Sequence, residues 1–198
     1  LGVGSVTDGA VTTNKIGNSA LTDAKLANTL DLSGKTLTMP TGSVLQVKSA
    51  AKVDAQGTNS ITPVDITGLS VNITPSSSSN KILVMTNVCY GGALNLYGAF
   101  FVKRDSANMV VGTYGTNNNT NATFAVGENN SNSNFKVHSA SHTYLDSPST
   151  TSQITYKVQF STMANNSYFY INRPDYVDNT ATWIISGTST ITVMEIAG

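Results

Sequence analysis

Ile154-Thr155-Tyr156-Lys157-Val158-Gln159-Phe160 sets apolar side chains at every second position. Successive side chains of a strand point to opposite faces, so Ile154, Tyr156, Val158 and Phe160 share one face while Lys157 and Gln159 share the other. This is a β-strand with one dry face and one wet one. Outward from it, the same period of two recurs from Gly42 to the C-terminus, broken by turn clusters at sandwich-like intervals. Expected strands are 44–49, 64–73, 81–90, 94–104, 108–114, 122–127, 135–145, 152–160, 168–172, 182–186 and 190–196. Stretches 81–90, 100–102 and 190–196 differ in being apolar on both faces. A two-layer sandwich wets the outer face of each sheet, so such strands imply a second burial surface, and contact between subunits supplies one. Glu195, between Met194 and Ile196, then needs a partner, for which a Lys or Arg is the expected choice.

Composition agrees with an all-β chain. The 198 residues include 23 Ser, 27 Thr and 21 Asn, against 11% charged residues. Glu and Arg, good helix formers, occur twice each, whereas Thr, Val, Ile, Tyr and Phe suit a pleated surface. Net charge is +0, which leaves no electrostatic footprint for nucleic acid or an anionic membrane. Aliphatic runs are far shorter than the roughly 20 residues of a membrane-spanning helix, so no membrane insertion is expected. Leu1-Gly2-Val3-Gly4 lacks the pattern of a secretory signal, and a first residue other than Met reads as a trimmed or partial product. One cysteine, Cys89, allows neither an intrachain disulfide nor a cysteine zinc cluster, and in Val88-Cys89-Tyr90 it reads as a buried structural thiol.

The first forty residues follow a different rule. Val6, Val11, Ile16, Leu21 and Leu26 recur every five residues, a spacing of neither helix nor strand, and 10–19 aligns with 20–29 as a ten-residue unit. One aliphatic side chain per five residues falls short of an independent core, so the segment needs neighbours. Three parallel copies about an axis would join these residues, with Leu30, Leu32 and Leu37, into a thin apolar seam with Thr, Asn, Asp and Lys outward. The competing arrangement is a single-chain pentapeptide solenoid, whose few turns would lack a cap. Pro40-Thr41-Gly42 closes the segment, which divides the chain into a repeat stalk (1–42) and a β-head (43–198).

The decapeptide pattern, followed by Leu30-Asp31-Leu32-Ser33-Gly34-Lys35-Thr36-Leu37-Thr38-Met39, resembles the stalk-to-head passage of phage tail fibres, particularly those of marine and freshwater phages. Stretches 44–47, 73–84, 145–152, 155–158 and 189–197 are similar to the fibre heads. The resemblance implies a homotrimeric, extracellular virion fibre with a β-sandwich or jelly-roll head. It implies attachment to a glycan or outer-membrane protein of the host, and joining to other tail proteins through the N-terminal side. No catalytic residue and no cofactor come with it.

Chemistry read from residues alone is sparse. His138 and His142 lie four apart, which on a strand places them roughly 13 Å apart on one face at about 3.3 Å per residue. One chain cannot hold a metal with both, although a threefold axis could gather either into a ring; they are weak metal candidates, and no metal is expected. Ser49-Ala50-Ala51-Lys52 matches a Ser-x-x-Lys pattern without its companion motifs. A glycan hydrolase would need two positioned carboxylates, for which the head offers Glu128, Asp146, Asp175 and Asp178, all in turn-like sequence. The expected activity is binding, not catalysis; a purely structural fibre is the alternative.

Recognition then falls to loops. Tyr114, Asn117, Asn118, Asn119 and Asn121 form one group of donors and acceptors, and Arg173, Asp175, Tyr176 and Asp178 another, both suited to sugar hydroxyls and ring faces. Strand parity groups 115–121, 146–151 and 173–181 at one end of the sandwich, with 128–134 and 161–167 at the other.

Overall fold

The computed structural model describes residues 37–92, 96–113, 121–128, 135–163, 167–178, 180 and 184–198. The seam residues Val6, Val11, Ile16, Leu21, Leu26, Leu30 and Leu32 lie outside these, as do Tyr114, Asn117, Asn118 and Asn119. Met39–Gly198 is a compact unit by itself. It begins with a tight turn: Ser43 N donates to Pro40 O at 3.0 Å, and Gly42 takes the positive φ of +88° that the turn requires.

Among the described residues eleven strands follow: β1 (Val44–Lys52), β2 (Gln56–Thr58), β3 (Val64–Ile73), β4 (Lys81–Gly92), β5 (Leu96–Arg104), β6 (Ala107–Asn108), β7 (Phe124–Glu128), β8 (His138–Asp146), β9 (Ile154–Thr162), β10 (Phe169–Ile171) and β11 (Ser189–Ile196). Eight carry the fold, in two antiparallel sheets. The first sheet runs β1-β11-β4-β8 and the second β3-β9-β5-β7. Pairing is nested, first strand with last (β1–β11), then β3–β9, β4–β8 and β5–β7, which is one long hairpin rolled into a jelly roll. The remaining three are short extensions: β10 and β2 continue the first sheet past the end of β11, and β6 lies on β5 beyond β7. Among the described residues no helix is long and apolar enough to cross a membrane.

The alternation read in 154–160 sets the core. Tyr156, Val158 and Phe160 are fully buried, and Phe160 joins Phe100, Phe124, Phe169 and Tyr90 in a chain of ring contacts at 4.8–5.9 Å between the sheets. Each such burial contributes about 1.5–3 kcal/mol. Phe169 of the first sheet seats directly on Gly98 of the second, where a Cβ would collide with its ring. Beside the termini, Arg104 reaches both oxygens of Asp146 at 2.9 and 3.0 Å, and Tyr156 Oη donates to Oδ2 at 2.6 Å. This clasp ties β8 of one sheet to β5 and β9 of the other. Burial and the adjacent Asp146 carboxylate push the Tyr156 phenol far above its ordinary range.

Two sequence expectations are corrected here. Glu195 is fully buried but meets no Lys or Arg among the described residues: Ser76 N and Oγ, Asn80 Nδ2 and Gln46 Nε2 donate to it at 2.6–2.8 Å. Burial pushes its pKa up, yet these hydrogen bonds outweigh burial and hold the carboxyl below its ordinary value. The doubly apolar strands also differ among themselves. Phe100, Phe101 and Val102 of β5 are all buried within this one chain, whereas Leu83 and Met85 of β4 and Met194 and Ile196 of β11 remain half-buried on the outer face.

Candidate functional site

The two ends of the sandwich follow from register. Val44 pairs with Ile196, and Ala197 N donates to Ser43 O, so both ends of the head lie together at a basal end with segment 74–80 and loop 147–153. Lys52 pairs with Ser189 and Tyr90 with His138 at the opposite, distal end. That end carries Phe135–Val137, Met163 after Thr162, and the described residues 172–178 and 184–188.

The parity grouping is therefore wrong. Loop 146–151 is basal while 173–178 is distal, beside the 161–163 turn and the approach to β8. The reason is physical. The strands expected at 108–114 and 122–127 are two pieces of one edge line: Asn108 pairs with Lys103, Met109 N reaches Val102 O, Thr123 N reaches Phe100 O, and Phe124 pairs with Phe100. Val110 leaves that line partway along the sheet and Ala122 returns beside it, where its O accepts from Gly112 N, which places exposed Asn121 away from both ends. Moreover β10 is too short to cross the sheet, so the chain leaves it at the end where it entered. Residues 184–186, expected in a strand, lie in none.

Asn172 fixes the distal segment. Held at φ +63°, it donates from Nδ2 to Lys52 O and Asp54 O, accepts from Ser189 Oγ, and closes backbone bonds to Cys89 O and from Gly187 N. Asn tolerates this left-handed conformation, and no polar group of it is wasted. Gly91 lets the segment lie down on β4: a Cβ there would stand 2.5 Å from Arg173 O and 2.8 Å from Lys136 O. Cys89 is buried beneath Gly187, as its sequence context predicts, and burial pushes its thiol pKa up.

Aromatic side chains collect around this segment. Phe169 and Ile171 point inward, so Tyr168 and Tyr170 point outward and stack at 5.6 Å with rings 9° apart; the Arg173 guanidinium lies 4.1 Å over the Tyr170 ring. Burial and the Asp175 charge raise the Tyr170 pKa, and Arg173 opposes them. Arg173 Nη2 makes a long contact to Asp175 O at 3.4 Å, while its buried Nε has no hydrogen-bond partner among the described residues. Tyr176 packs edge-on against Phe135 at 5.0 Å. Two shallow clefts meet at Ile185, which is 68% exposed: one of about 310 Å³ is lined by Phe135–His138, and one of about 270 Å³ by Arg173, Pro174, Val177, Asp178, Ile184 and Ser186.

The structure thus brings Arg173, Asp175, Tyr176 and Asp178 together and adds Phe135, Tyr168, Tyr170 and Ile185. The tyrosines were legible as the polar-edged partners of buried Phe169 and Ile171 in a period-two stretch. Phe135 comes in through topology and left no local signal. Of the four carboxylates considered for hydrolysis, Asp146 is tied into the basal clasp, and Asp178 accepts from Thr180 N and Oγ1 at 2.8 and 2.6 Å. Asp175 stays at the distal end near Tyr170, and the Glu128 side chain lies outside the described set. His138 stacks on Tyr90 and His142 on Phe124, both within the inner wall. No group of three or more His, Cys, Asp or Glu among the described residues could hold a metal ion.

No family model and no curated protein matches the chain. Among solved structures, one of infectious bursal disease virus, Gx strain, is similar over 87% of this chain and 46% of its own, at 11% identity and a TM-score of 0.37. A mutant VP2 protein of infectious bursal disease virus is similar over 87% of this chain and 41% of its own, at 11% identity and a TM-score of 0.38. This chain spans less than half of either. The jelly-roll assignment rests on the strand order itself.

Proposed function

We propose that the chain is the stalk-to-head part of a phage tail fibre, a homotrimeric virion protein whose head attaches to a glycan or protein on the host surface. It acts by binding, without catalysis or cofactor, and joins other tail proteins through its N-terminal side. One observation carries this reading. The preceding segment enters the jelly roll at the basal end, and a ring-rich cluster of exposed Tyr168 and Tyr176 with half-buried Tyr170 and Arg173 lies at the other. A head presented this way offers rings for sugar faces and a guanidinium beside carboxylates for sugar hydroxyls. The five-residue apolar repeat before it supplies a stalk only when copies stack.

Fluorescently labelled protein incubated with cells of candidate hosts tests the reading. Saturable adhesion is expected, with Tyr168→Ala and Arg173→Ala each weakening it at least about tenfold, in the range of interface hot spots. Adhesion unchanged by both variants would remove the distal cluster as the receptor site. No adhesion to any host would favour a purely structural fibre.

A further inference from the structure

The two outer faces of the sandwich differ in chemistry. On the second sheet Lys157 Nζ pairs with Asp65 Oδ2 at 2.8 Å, Gln159 Nε2 reaches Oδ1 at 2.7 Å, and Lys103 Nζ reaches Asn108 Oδ1 at 2.8 Å. That face is built for water. On the first sheet, register sets Val47, Met194, Leu83 and Leu145 side by side in one row across all four strands, with Met85 in the next. The seven other positions in the three rows are Ser, Thr, Ala and Asn. These twelve outward positions carry no charge, and the next row toward the base, Val44, Ile196 and Lys81, carries one, on Lys81.

Part of this face is already covered. At the distal end the chain's own segment lies over Cys89 and Gly91. Nearer the base, Val47 is 51% exposed and Leu145 44% exposed, and no described residue shields them. Val47 and Met194 lie within a few residues of the Ser43–Ala197 pairing where the preceding segment enters.

We propose that this basal half of the first sheet is where the heads of neighbouring copies of the chain meet. A second copy fits the chemistry. A face with one charge, at its basal margin, meets its equal with little like-charge repulsion, and it offers a charged partner little to pair with. Copies joined through the preceding segment hold these basal faces near one another. Size says the same. Four strands at about 4.8 Å by six residues at about 3.3 Å make a face of roughly 19 by 20 Å. That is about half of the ~800 Å² per partner typical of a stable interface. The face completes an assembly that the preceding segment begins, and does not create one alone.

The inference rests on the trimer reading, and sedimentation velocity of the full chain separates the two. Wild type is expected to be a trimer at micromolar concentration. Met194→Glu and Leu83→Glu should each raise the concentration at which it dissociates by at least about tenfold, whereas Lys157→Glu on the opposite face should not. A wild-type trimer as stable in both face variants overturns the face assignment and leaves the trimer standing. A wild-type monomer overturns both. If the Glu variants lose their β-sheet circular dichroism, Met194→Ser and Leu83→Ser replace them, with a shift of about threefold expected and no shift overturning the proposal.

Discussion

A carboxylate in the middle of an apolar strand must be solvated by the protein itself, and Glu195 is solvated by neutral groups. Its four donors come from β1 and from the segment between β3 and β4, so the charge fastens that segment to the base of the first sheet. Glu195→Ala removes the acceptor shared by Ser76, Asn80 and Gln46 and leaves the buried Asn80 Nδ2 with only Ser76 Oγ to donate to, and should cost about 2 kcal/mol in urea unfolding at pH 7. The acid dependence follows from sign. Unfolded Glu takes up its proton near 4.5, the folded carboxyl only at lower pH, so its contribution is complete above 4.5 and is lost as pH falls through the lower folded value. Glu195→Gln should flatten the fall in stability between pH 5 and 3. His142 acts in a higher window. Stacked on Phe124 with its Nε2 buried and without a hydrogen-bond partner among the described residues, it has its pKa lowered from 6.5 by burial. The unfolded imidazole therefore binds its proton first, and stability begins to fall below about pH 6.5. His142→Phe, which keeps the ring, should remove that part of the fall between pH 7 and 5.5, read from urea midpoints.

Elements whose two faces differ in wetness were legible from sequence. Strand 64–73 agrees with β3 at both ends, and the expected 152–160 matches β9 with both ends displaced by two residues, because period-two burial is a local pattern. β2 was not legible: Gln56-Gly57-Thr58 has no alternation and is a strand only because β10 pairs with it. The interrupted edge line of β6 and β7 was counted as two strands for a related reason, since both pieces have strand composition and only pairing with β5 shows that they are collinear. That one miscount moved whole loops to the wrong end. The candidate site was half readable. Arg173, Asp175, Tyr176 and Asp178 stood out as a polar, aromatic loop, but its neighbours are set by the short β10 and by close approach over Gly91. Gly91→Ala tests that approach. The added methyl meets two backbone carbonyls that cannot yield as side chains do, so the variant should lose about 1–3 kcal/mol. Host-cell adhesion should fall with it, whereas Gly112→Ala, whose Cβ would meet Ala122 O at an ordinary 3.9 Å, should change neither.

At the scale of the whole molecule, charge is sparse and balanced. Net charge is +0, and much of the head's charge is spent in ion pairs: Lys157 with Asp65, Arg104 with Asp146, Lys52 with Asp54. Solubility rests on Ser, Thr and Asn, which hold water without creating a field. Long-range steering needs a net field extending past the screening length, about 10 Å at 0.1 M salt, and this chain has no net charge to supply one. Encounter with the host should therefore be governed by diffusion and by the short-range fit of rings and hydrogen bonds at the distal end. The adhesion rate of the full chain to host cells is expected to change by less than about twofold between 50 and 500 mM sodium chloride. A fall of tenfold or more would mean that a charged surface polymer is being read, with Lys136 and Arg173 at the distal clefts as its cationic contacts. Measuring the same salt series on Arg173→Ala separates these outcomes, because only a charged receptor would make the salt dependence shrink when the guanidinium is removed.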